Sequence, residues 1–87
     1  MELKDTVNGM LSEDYKERFA AEYQQTKIRY EKLKNFCDRI ELSENYGCGE
    51  TPKHDCPLAL LRDQQRYMGV YLGCLEKRAI LEGINLG

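Results

Sequence analysis

Six tyrosines against two phenylalanines, in a chain of 87 residues, are the first chemical signal in this sequence. Tyr15, Tyr23, Tyr30, Tyr67 and Tyr71 recur among basic residues, chiefly Arg29, Lys32, Arg62, Arg66 and Arg78. A tyrosine ring can stack on a base, and a neighbouring guanidinium can pair with a phosphate through its planar fork of donors. That combination predicts a nucleotide pocket, with Tyr23, Arg29, Tyr30, Arg62, Arg66, Tyr67 and Arg78 as candidate ligand-binding residues. The same residues also suit a subunit interface, because a buried tyrosine needs a partner for its hydroxyl. The two readings can coexist.

Other chemistry is weaker. Cys48, His54 and Cys56 share one segment, and Cys37 or Cys74 could complete a tetrahedral zinc set. Structural zinc sites use close pairs of ligands such as Cys-x-x-Cys. His54-x-Cys56 with an isolated Cys48 does not have that spacing. The expectation is no metal and no cofactor, with Cys37 and Cys74 as small core residues and Cys48 and Cys56 as loop thiols. A Cys-His nucleophile pair is disfavoured too. His54 and Cys56 alternate on opposite sides of an extended segment, and no third group orients the base. The chain is therefore read as a binder and not an enzyme.

Two long helices must carry these residues. Between Glu13 and Leu42 there is neither Pro nor Gly. Phe19, Tyr23, Thr26, Tyr30, Leu33, Cys37 and Ile40 recur at spacings of four and three, the seam of a helix lying along another helix. Ser12 is the expected N-cap, ahead of Glu13 and Asp14 in the first turn. Residues 43–56 hold Asn45, Gly47, Gly49, Pro52 and Asp55 and read as a loop. Pro57 suits the first position of the next helix. Its seam is Leu61, Met68, Leu72, Leu75 and Ala79, and Gly83 with Ile84 fits a Schellman stop. Residues 2–9 form a short helix ahead of the pair. The expected fold is all-α: a short N-terminal helix (2–9) and a long antiparallel hairpin (13–42 and 57–82) in one domain spanning 1–87.

Such a hairpin has too little interior to close on itself. Domains this small bury only about 60% of their unfolded surface. Met10, Leu11, Ile28, Phe36, Leu60, Val70 and Ile80 lie off both seams and would face water. An apolar surface of that extent marks a partner, and self-association is the simplest supplier. A homo-oligomer is expected, its second contact made through Val70, Ile80 and the surface opened by Gly69 and Gly73.

The net charge is -2, with 13 basic and 15 acidic residues. That gives no basic excess to neutralise a phosphate backbone, so general nucleic-acid binding is disfavoured. No apolar run approaches the roughly 20 residues of a membrane span. The polar start Met1-Glu2-Leu3-Lys4-Asp5 is unlike a signal peptide. The expected location is the cytosol, with reduced thiols.

The stretches Asp14-Tyr15-Lys16-Glu17-Arg18-Phe19, Lys27-Ile28-Arg29-Tyr30-Glu31-Lys32-Leu33 and Leu60-Leu61-Arg62-Asp63-Gln64-Gln65-Arg66-Tyr67-Met68-Gly69-Val70-Tyr71-Leu72 resemble small phage and prophage proteins of gut Firmicutes. Those are grouped with a crAss-phage-related family of unknown function. In size and hairpin shape the chain is also similar to the phage sponge proteins that act against CBASS and Thoeris defence. Those proteins assemble as oligomers and hold cyclic or signalling nucleotides between subunits. The resemblance implies a phage anti-defence protein in the host cytosol that sequesters a nucleotide immune signal without chemistry. The alternatives are an inhibitor that contacts a host or defence protein, as anti-CRISPR proteins do, and a virion assembly accessory.

Overall fold

The computed structural model describes all 87 residues, Met1–Gly87. A 3-10 turn over Leu3–Thr6 runs into a short helix α1 (Val7–Met10), followed by two long helices, α2 (Tyr15–Tyr46) and α3 (Leu58–Glu82); there is no strand. The long helices lie antiparallel. Tyr15 near the start of α2 meets Glu82 at the end of α3, Tyr23 meets Glu76, and Asp38 meets Arg62 near the loop. The molecule is 47 Å long, the length of one helix of α2's size at about 1.5 Å per residue.

The helix ends are set by local chemistry that shifts the expected boundaries. Asp14, not Ser12, caps α2: its carboxylate accepts from the Lys16 amide at 2.9 Å. The Ser12 hydroxyl bonds the Glu17 carboxylate instead. α2 continues past Leu42 to Tyr46, because the first residue free to turn left-handed is Gly47, at φ 66°. The Cys48 amide then closes the end onto the Leu42 carbonyl. Pro57 precedes α3 as its cap instead of opening it, and its carbonyl accepts from the Leu60 and Leu61 amides. Gly83 ends α3 at φ 67°, and Ile84 folds back into the core with its amide on the Ala79 carbonyl. That is the Schellman arrangement the sequence predicts.

Ten of 87 residues are buried, so the interior is a thin seam and not a filled core. Its larger part lies at the open end of the hairpin, where Phe19 and Tyr23 pack with Leu72, Leu75, Ala79 and Ile84. Cys37 and Ile40, fully enclosed, form a second patch toward the loop. Between these patches the seam residues Tyr30, Leu33, Leu61 and Met68 are only half-buried. Cys74, expected as a small core residue, is exposed. It sits next to the seam residue Leu75, and one residue turns a helix by about 100°. The N-terminal segment packs on the other side of α2. A Cβ added to Gly9 would come within 2.7 Å of the Ala21 side chain, so this approach requires glycine. No helix is long and apolar enough to cross a membrane.

Candidate functional site

The seven residues expected to bind a ligand do not converge. The structure spreads them over the length of the hairpin, and most are already engaged. Tyr23 is buried, and its hydroxyl donates to Glu76 at 2.6 Å. This hydrogen bond, helped by burial, pushes the phenol up to about 12. Arg78 stacks over the Phe19 ring at 4.9 Å and donates to Glu82 at 3.0 Å and to the Tyr15 oxygen at 2.7 Å. Tyr15 in turn donates to Glu82. That hydrogen bond raises the Tyr15 phenol and lowers the Glu82 carboxyl, which Arg78 lowers further. The Tyr71 hydroxyl donates to Glu22 across the hairpin at 2.7 Å. These three tyrosines at the open end are fasteners between α2 and α3.

Arg62 serves the other end. It donates to Asp38 at 2.9 Å, to Glu41 at 3.2 Å and to Gln65 at 2.7 Å. The Asp38 carboxyl is held below its usual range by the Arg62 hydrogen bond first and by Lys34 after it. Beyond it, His54 fastens the loop to α2. Its Nδ1 faces the Cys56 carbonyl at 2.7 Å, its Nε2 faces Glu44 at 3.3 Å, and its ring stands edge-on to Phe36. Both contacts favour the protonated ring, so His54 titrates above its ordinary value. The imidazole thus addresses the backbone of Cys56 and a carboxylate. No three His, Cys, Asp or Glu side chains gather as a metal ion would need.

Of the seven, Tyr30 lies half-buried against Gly69, and Arg29 is exposed with no ion pair. Arg66 and Tyr67 remain together on the outer side of α3. The guanidinium lies 5.0 Å from the Tyr67 ring centre and also reaches Asp63 at 3.2 Å. Tyr67 borders an open groove of about 630 Å³ whose other walls are Leu60, Asp63, Gln64, Met68 and Tyr71. A groove of this kind offers an aromatic face with polar groups at its edge. A second groove, of about 360 Å³, lies between the N-terminal segment, α2 and the C-terminal residues Asn85–Gly87.

Sequence reasoning missed the carboxylates. Glu22, Glu76 and Glu82 occupy tyrosines and Asp38 occupies Arg62 across the hairpin, and nothing in a single helix pattern specifies such partners. It also missed the outer line of α3. Leu60, Tyr67, Cys74 and Leu81 are all exposed and recur at intervals of seven. That spacing is visible in the sequence once the inner seam has been assigned.

These features define an all-α helical hairpin, fastened at both ends by polar pairs and open along the outer face of its second helix. The Sequestin family model matches residues 13–81, which span both long helices, and the chain belongs to the Sequestin family. No curated protein and no solved structure matches it.

Proposed function

We propose that the protein sequesters a nucleotide signal stoichiometrically, as a homo-oligomer and without turnover, in the manner of a phage anti-defence sponge. The observation that carries this reading is the Sequestin match over residues 13–81, whose name denotes sequestering of a molecule. The geometry supports it in two ways. The groups best suited to acid–base work, His54 and the phenols of Tyr15, Tyr23 and Tyr71, are tied to carbonyl or carboxylate partners. The Arg66–Tyr67 pair, by contrast, borders an open groove. A base stacked on Tyr67 with a phosphate on Arg66 would satisfy both side chains.

Calorimetry of the purified oligomer with cyclic di- and trinucleotides and with ADP-ribose derivatives tests the reading. One of these is expected to bind and to be recovered intact after the protein is denatured. Stacking on an aromatic ring contributes about 1–3 kcal/mol per base, so Tyr67→Ala should weaken uptake roughly 5- to 150-fold. No uptake from either ligand class, or recovery of a cleaved nucleotide, refutes it.

A further inference from the structure

The outer face of α3 is an unpartnered apolar stripe with its own heptad. Leu60, Tyr67, Cys74 and Leu81 form its centre line, one residue out of phase with the inner seam. Val70 flanks that line on one side and Tyr71 on the other. Leu60 is 57% exposed, Tyr67 64%, Val70 63% and Leu81 86%. Together with Tyr71 these leave on the order of 600 Å² of largely apolar surface per copy, as large as the largest patch on a typical monomer. Burial of that patch on two copies removes about 1,200 Å², the lower bound for a specific interface.

We infer that this stripe is a two-fold interface at which α3 packs antiparallel against α3 of a second copy of the chain. The stripe is self-complementary when reversed about Val70 and Tyr71. Reversal sets Leu60 against Leu81 of the partner subunit and Tyr67 against Cys74 of the partner subunit, so that apolar residues meet along the whole line. The axis falls between Val70 and Tyr71, so each lies within about one residue's rise of its own symmetry mate, Val70 on one flank and Tyr71 on the other. On the same flank, Asp63 and Lys77 lie seven residues to either side of Val70, so Asp63 faces the partner's Lys77 twice over. Within one chain Lys77 makes no ion pair, and Asp63 has only the exposed contact with Arg66. A parallel pair would instead set like charges against each other at both positions, which is unfavourable. Charge therefore selects the antiparallel orientation, and heptad spacing keeps the contact continuous over 60–81.

This assignment rests on the homo-oligomer part of the proposed function and not on its ligand. It changes the partner surface expected from sequence. Gly69 is covered by Tyr30 of the same chain, and Ile80 projects away from the stripe, so the subunit contact centres on Tyr67, Val70 and Cys74. Leu60, Tyr67 and Tyr71 wall the outer groove and belong to this stripe, so in the dimer the partner subunit covers part of the groove and a ligand there is held between the two copies.

The test is the mass of the full chain in solution by sedimentation and light scattering, with no nucleotide present. The wild type is expected as a dimer or an even multiple. Val70→Glu should reduce it to half that mass while circular dichroism stays helical, since Val70 supports nothing inside the monomer. Asp63→Lys and Lys77→Glu should each weaken association at least tenfold, and the double variant should restore it. Val70→Cys, in a background with Cys48, Cys56 and Cys74 changed to Ser, should form a disulfide-linked dimer on oxidation. A monomeric wild type, or an assembly indifferent to Val70→Glu, overturns the interface. Loss with Val70→Glu but no rescue by the charge swap overturns the antiparallel register. Failure of nucleotide uptake with these masses as expected would sink only the ligand reading.

Discussion

Gly69 and Gly73 lie one helical turn apart in α3, yet they should respond oppositely to the same substitution. Each sits in a helix interior, where alanine is favoured over glycine by about 1 kcal/mol. A Cβ added at Gly73 meets nothing within 4 Å, so Gly73→Ala should realise that whole gain. A Cβ added at Gly69 lies 3.1 Å from Cε1 of Tyr30 and 3.6 Å from its Cζ and hydroxyl. The ring must retreat by a few tenths of an ångström, and overpacking of this kind costs about 1–3 kcal/mol. Gly69→Ala should therefore fall about 1–3 kcal/mol below Gly73→Ala. For a domain of this size 1 kcal/mol moves Tm by roughly 4–8 °C, so the two variants separate clearly by calorimetry at fixed protein concentration. In a Tyr30→Ala background the obstacle is gone, and Gly69→Ala should recover the gain of about 1 kcal/mol. Equal Tm shifts for the two single variants would refute the packing of Tyr30 on Gly69. A loss on Gly73→Ala would refute the open face at Gly73 and restore the idea that a partner approaches there.

Three further outcomes follow from the core and the polar fasteners. Leu75, 2% exposed at the centre of the larger core patch, should cost about 2–5 kcal/mol when changed to Ala, as measured by urea unfolding. The Tyr23 phenol is raised to about 12 by Glu76. A raised acid favours the folded state while it keeps its proton, so this stabilisation is complete below pH 10 and is lost between pH 10 and 12. Glu76→Gln should flatten that part of the pH–stability curve, and an unchanged alkaline slope would contradict the assignment. His54 is also raised, here by the Cys56 carbonyl first and Glu44 second. Its contribution to docking the loop is present below the unfolded value of about 6.5 and fades as pH rises through the folded one. Protection of the amides in residues 47–57, corrected for intrinsic base-catalysed exchange, should fall over that range in the wild type and fall less in Glu44→Gln.

The sequence made the architecture legible because helix seams are local and repetitive. Phe19, Tyr23, Cys37 and Ile40 on one helix, and Leu72, Leu75 and Ala79 on the other, could be placed inside from spacing alone, and all are buried. Gly83 and Ile84 were legible for the same reason, since a left-handed stop followed by an apolar residue is a local motif. The candidate site was not legible. Whether Arg62 is free to meet a phosphate depends on which carboxylates stand across from it, and that is set by the relative rotation of two helices. Asp38 and Glu41 take Arg62 from the other helix, whereas Glu82 takes Arg78 from four residues along its own helix, a pair that spacing does show. Spacing shows that a side chain lies on a helix surface, but not that its charge is already matched from another helix.

The same rotation explains why α3 has two faces of different kinds. Its inner residues Leu72, Leu75 and Ala79 meet α2, while Leu60, Tyr67, Cys74 and Leu81 form an equally regular line on the surface. A helix that only closed a monomer would need the first line and would carry charge at the second. Here charge stands on the flanks, at Asp63 and Lys77 on one side and Arg78 on the other, where it can choose an orientation without interrupting the apolar centre. The fasteners at the two ends of the hairpin serve that arrangement. By holding α3 against α2 through Glu22, Glu76, Glu82 and Asp38, they fix the direction in which the outer line points. A loosely held α3 could roll its second apolar line into its own thin core, and the chain would lose the surface and the groove beside Tyr67 together. The polar pairs that occupy the predicted ligand residues are on this argument what keeps Tyr67 and Arg66 outward, toward the second copy and the groove between the two.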